Sequence, residues 1–183
     1  MLISFKDTLA ARLGTTTHMS GLLIKARRLG LVSVRELSTL GVQRGCKPYA
    51  QGDEPSDELV LRDKFSDEEL TLSLLNIALP YDKRCILIGA AMLGSKGNSV
   101  DGILRLTKWE RSEPVVRYVA ECGHHFEPDN SFWNSLLTRL PHSVPKHGVL
   151  PEPTEFLATS SSDPQSAVNE RWVRAIPQSS QQN

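Results

Sequence analysis

Cysteine is scarce: 183 residues hold three, Cys46, Cys85 and Cys122. An odd, widely spaced set does not make the dense, even framework of a small secreted domain. Reduced thiols in a cytoplasmic compartment are the expectation. Long hydrophobic runs are also missing. The longest nearly uncharged apolar stretch, Cys85 to Gly94, is ten residues. A membrane span needs roughly 18, so no membrane partner is expected. The N-terminus carries no apolar run suited to a secretory signal. Catalytic signatures are absent as well. There is no Gly-x-Ser-x-Gly, no Gly-rich phosphate loop ending in Lys-Ser/Thr, and no His-Glu-x-x-His. Gly94-Ser95-Lys96-Gly97-Asn98 is glycine-rich but follows a helical stretch, so it reads as a turn. No catalytic residue and no cofactor is assigned.

Net charge is the last absence. Lys and Arg total 21, and Asp and Glu total 21. This argues against a uniformly basic nucleic-acid coat and against an acidic disordered chain. The zero is nevertheless a sum of unlike segments. Residues 1–50 hold eight basic residues against two acids; residues 51–76 hold eight acids against two basic residues; the remainder balances. Such asymmetry can mark a binding surface, or the two segments can neutralise each other. The basic, Ser/Thr-rich residues 1–50 also fit the composition of an organellar transit peptide, which would place the protein in an organelle matrix.

What is present is helix punctuation. Three short helices are expected in the first forty residues, each ending on a glycine. They run from about Ser4 to Leu13 before Gly14, from about His18 to Leu29 before Gly30, and from Ser33 to Gly41. Thr15, Thr16 and Thr17 are available to cap the second. Ser33 and Glu36 form a capping box, in which each side chain satisfies the other's backbone amide. Residues 42–64 read as an acidic linker interrupted by Pro48, Gly52 and Pro55. Ser66 and Glu69 form a second capping box, opening a helix through Leu70, Leu74, Ile77 and Ala78. Asp82 caps a helix to about Leu93, and Ser99 precedes one to about Trp109. Ser112, with Pro114 in the first turn, precedes another that ends before Gly123. Ser131 opens the last, which Pro141 stops.

The serines at 66, 99 and 131 recur at the size of a helical hairpin. The expected fold is therefore all-α, with helical hairpins packed as a small bundle or a short repeat-like array. It divides into a basic helical unit (1–41), the linker (42–64), a hairpin domain (65–141) and a proline- and serine-rich, largely irregular tail (142–183). Trp172 in that tail is expected to pack back on the helices.

Two motifs bear chemistry. Leu9-Ala10-Ala11-Arg12-Leu13-Gly14, followed by Thr15 to Leu29, resembles the helix-turn-helix pattern of bacterial regulators. The resemblance covers about twenty residues. Six residues after the glycine, Ser20 stands where that pattern has an apolar residue. It implies a second helix offering Thr17, His18, Ser20, Gly21 and Lys25 to a DNA groove, with Arg27, Arg28 and Arg35 on phosphates. The other motif is Cys122-Gly123-His124-His125-Phe126-Glu127. Its thiolate, imidazoles and carboxylate (Cys122, His124, His125 and Glu127) are transition-metal ligand types, although no second Cys-x-x-Cys closes a site. In a plain helix the same histidines suit the negative end of the dipole. The leading expectation is a non-catalytic helical module that binds protein partners. The competing ones are a nucleic-acid-binding regulator using residues 9–35 and a metal or redox protein using Cys122 and His124.

Overall fold

A computed structural model describes residues 5–52, 61–145, 148–160 and 169–176. The architecture is all-α, with one two-stranded ribbon added by the tail. In chain order the helices are α1 (Leu9–Leu13), α2 (Gly21–Arg28), α3 (Val34–Gln43), α4 (Asp67–Leu74), α5 (Lys83–Leu93), α6 (Val100–Trp109), α7 (Glu113–Phe126) and α8 (Ser131–Arg139). Strands β1 (Leu157–Ser160) and β2 (Asn169–Trp172) pair antiparallel, with Leu157 opposite Trp172.

The ten-residue apolar run becomes the central helix. On α5, eight residues are buried, and they point in all directions. A helix apolar all round has to be surrounded. Ile86, Ala90 and Leu93 face a cluster with Ile103 of α6, Val115 and Val119 of α7, and Trp133 of α8. Cys85, Ile88 and Met92 face a second cluster with Ala26, Leu37, Leu40, Phe65 and Leu74. Helices α2 and α3 thus share one core with α4 and α5. No helix among the described residues is long and apolar enough to cross a membrane.

The caps follow the sequence closely where they are local. Ser33–Glu36 and Ser66–Glu69 both form complete capping boxes. Asp82 caps Cys85, and Ser99 caps Gly102. Asn98 donates to the carbonyls of Met92 and Leu93 at 2.8 and 2.9 Å, closing the end of α5. Helix boundaries differ from expectation in several places, among them the end of α4, at Leu74 instead of beyond Ala78, and the cap of α8, Asn130 instead of Ser131. The first helix begins at Leu9 with Thr8 as cap, and Ser4, its expected start, lies outside the described residues. Ser20 caps α2 in place of the threonines. Gly41 and Gly123 lie inside helices α3 and α7, which run on to Gln43 and Phe126. Both glycines serve close approach. A Cβ on Gly41 would sit 2.4 Å from Ile88, and one on Gly123 would sit 2.4 Å from the Trp133 ring.

The tail folds back across the helices. Trp172 stacks on Phe156, with ring centroids 5.2 Å apart, and meets the edge of Trp133 at 5.3 Å. Trp172 is 4% exposed, so it packs on its own helices as expected. Arg174 donates to the Gly94 carbonyl at 2.8 Å, and the Ile176 amide donates to Gly45 at 3.2 Å. Lys83 pairs with Glu155, pinning the start of α5 to the segment before β1.

The close approach of Gly123 to the Trp133 ring gives a test. Alanine is the better helix former by about 1 kcal/mol, whereas overpacking a rigid ring costs roughly 1–3 kcal/mol. Gly123→Ala is therefore expected to lower stability by up to about 2 kcal/mol in denaturant melts, with a changed near-UV signal from Trp133.

Candidate functional site

Helix α2 starts on a buried carboxylate. Glu110 closes the C-terminus of α6 and is 4% exposed. Its Oε1 accepts the Leu22 amide at 3.0 Å. Its Oε2 accepts the Ser20 hydroxyl and the Asn76 side-chain amide, the latter at 2.8 Å. Asn76 also donates to Ser20 Oγ at 3.0 Å. A carboxylate at a helix N-terminus meets free amides and the positive end of the dipole. His18 Nε2 lies 3.8 Å from Glu110 Oε2, and neither imidazole nitrogen has a hydrogen-bond partner.

This arrangement decides where the helix-turn-helix-like residues lie. Ser20 is buried under Glu110, and His18 is largely buried beside it. Lys25 pairs with Glu69 at 2.6 Å and lies 5.8 Å from the Phe65 ring centroid. Thr17, Arg27, Arg28 and Arg35 are exposed. None of the three arginines has an ion pair among the described residues. Of the acidic stretch, residues 53–60 lie outside the described residues.

Residues of α2, α3, the loop between them and the Leu79–Pro80 segment line an open groove of about 500 Å³. Buried Leu31, Leu37 and Leu79 form its floor. Half-buried Leu23 and Val34 form its walls. Val32, 62% exposed, and Arg27 stand on its rim. The groove is apolar within and cationic at its edge. Nothing in the sequence identified it, because its floor comes from two segments more than forty residues apart.

The Cys122-to-Glu127 segment disperses its ligand types around α7. Cys122 is buried, and its burial, then its neighbouring acids, push the thiol up to about 11 despite a hydrogen bond with Tyr118. A protonated thiol is a poor ligand and a poor nucleophile. His124 has a buried Nδ1 with no hydrogen-bond partner. His125 is exposed and packs edge-on against Phe126 at 4.8 Å. Glu127 turns away toward the tail, accepting from Trp133 at 2.9 Å, from Asn130 at 3.0 Å and from Arg174. Burial raises the Glu127 carboxyl, but the hydrogen bonds from Arg174, Trp133 and Asn130 together hold it below its ordinary value. Among the described residues, no three His, Cys, Asp or Glu side chains gather as a metal site. Cys122 and His125 do share a second, open groove of about 620 Å³ with Tyr118, Glu121 and Glu152. The Tyr118 hydroxyl is committed to the Pro151 carbonyl at 2.8 Å.

Sequence reasoning passed over Glu110. Its signal is available: it falls on the buried stripe of α6 with Ile103 and Leu106, where a carboxylate has to find donors. No protein-family model, no curated protein and no solved structure matches the chain.

Two outcomes check this geometry. Glu110→Ala leaves the Ser20 hydroxyl and the Leu22 amide buried without this acceptor and takes one of two acceptors from the Asn76 side chain; it is expected to cost about 3 kcal/mol in chemical denaturation. Glu127 has a folded pKa below the ordinary 4.5. Its contribution is therefore complete above that value and is lost as pH falls through the folded pKa. The stability gap between the natural protein and Glu127→Gln should stay constant at neutral pH and narrow below 4.5.

Proposed function

We propose that this protein is a non-catalytic helical module that receives a segment of a protein partner in the groove between α2 and α3. One observation carries the proposal: the groove joins a buried leucine floor to an exposed valine and an exposed arginine that has no ion pair among the described residues. Its volume of about 500 Å³ suits two or three apolar side chains of a peptide, the usual anchors of a helix-in-groove contact. Arg27 on the rim, with Arg28 and Arg35 exposed nearby in sequence, favours a carboxylate beside those anchors. The partner segment is thus acidic and amphipathic. Helix α2 is held by its Glu110 cap, so the groove is formed before the partner arrives, which reduces the ordering cost of binding.

Selection from a random peptide library tests the proposal. Enriched peptides are expected to carry apolar residues three or four apart beside Asp or Glu. Arg27→Glu should weaken them by about tenfold, the ~1.4 kcal/mol of one charge-assisted contact. Peptides that bind Val32→Glu as well as they bind the natural protein would overturn the groove assignment.

A further inference from the structure

The carboxylate that caps α2 also sets what its neighbours do. Glu110 points inward, and the residues on either side of it point out. Trp109 is 67% exposed. Arg105, one turn earlier, holds its guanidinium 5.6 Å from the Trp109 ring centroid. Lys108 and Arg111 are exposed beside it, and none of these three cations has an ion pair among the described residues. Across the Ser20–Glu110 contact stands Met19, 84% exposed. The acids nearby are Asp101, paired with Arg139 at 2.6 Å, half-buried Glu113 at the start of α7, and Glu68, which accepts the Ser99 amide at 2.7 Å at the far end of α6.

Arg111 adds an independent sign. Its φ is +51°, and it is the only non-glycine residue with positive φ among those described. It follows the α6 cap, a position where glycine is the usual occupant. An arginine there sustains backbone strain, yet it sets an exposed third cation two residues after the tryptophan.

We infer that the exposed face of α6, with Trp109 at its centre, binds single-stranded nucleic acid. A planar indole fixed by an arginine offers a stacking surface to an unpaired base, and stacking tolerates any base. Lys108 and Arg111 neutralise the flanking phosphates. Duplex DNA hides its base faces and gains only the phosphate contacts. Trp109 and Met19 supply too little apolar surface for a membrane interface, which needs a longer apolar face. This surface is distinct from the α2–α3 groove, and the two proposals fail separately.

Trp109 reports directly, because the other two tryptophans, Trp133 and Trp172, are buried. Titration of the full chain with a mixed-sequence single-stranded oligonucleotide at low salt should quench its fluorescence. About three phosphate contacts predict a log–log salt slope near −2. Trp109→Ala should abolish the quench and weaken binding by at least tenfold in a competition assay. Arg111→Gly relieves the left-handed strain, so it should keep or raise thermal stability while lowering affinity several-fold. Arg27→Glu should leave this binding within twofold. The proposal is overturned if the oligonucleotide causes no quench, if Arg111→Gly binds as tightly as the natural protein, or if Arg27→Glu removes binding. It is equally overturned if polyglutamate or anionic phosphatidylserine vesicles compete as well as the oligonucleotide at matched charge.

Discussion

One buried carboxylate fixes how the N-terminal helices meet the rest of this molecule. Glu110 binds the first turn of α2 to the last turn of α6, across ninety residues of sequence. An eight-residue helix is marginal alone, because nucleation costs more than so few hydrogen bonds return. Its N-terminal amides are free, and the carboxylate satisfies them while opposing the dipole. With α2 fixed, its Leu22 and Ala26 reach the core and its Leu23 and Arg27 border the groove. The same inward turn leaves Trp109 facing solvent. Groove and tryptophan are thus two consequences of one contact.

A second fastening acts at the other end of the molecule. Glu127 gathers Trp133, Asn130 and Arg174, joining α7, α8 and the tail. Arg44 plays the reciprocal part at the end of α3. It is buried and donates to the Phe65 carbonyl at 2.7 Å and to Asp67 at 3.0 Å. Desolvation lowers its proton affinity, and Asp67 opposes that by supplying the counter-charge. Each site leaves a charge in the interior only where several partners surround it, as burial of charge demands.

Legibility from sequence follows the range of the interaction. Capping boxes at Ser33 and Ser66 were readable because both partners lie within four residues. The all-α class was readable from caps and apolar spacing. Gly41 and Gly123 misled because a glycine serves either a left-handed stop or a close approach. Only the neighbour, Ile88 or Trp133, distinguishes these uses. Ser20 was missed as a cap although its Oγ accepts the nearby Leu23 amide at 3.0 Å, because Thr15, Thr16 and Thr17 offered equally local candidates. The ribbon of β1 and β2 was unreadable because four-residue strands show no usable alternation. The helix-turn-helix-like segment matched in letters, but its resemblance says nothing of what meets Ser20. The ligand types from Cys122 to Glu127 adjoin in sequence, yet Glu127 is spent on the tail.

The aromatic stack of Trp133, Phe156 and Trp172 has a consequence for synthesis. These rings occupy the same buried cluster as Leu9 and Ala10 of the first helix. A ribosome delivers those early residues long before Trp172. Until residue 176 emerges, the face of α5 that Val173 and Ala175 cover stays open to water. Until then the nascent chain carries unfinished apolar surface, and its closure is a long-range contact, a slow kind to form.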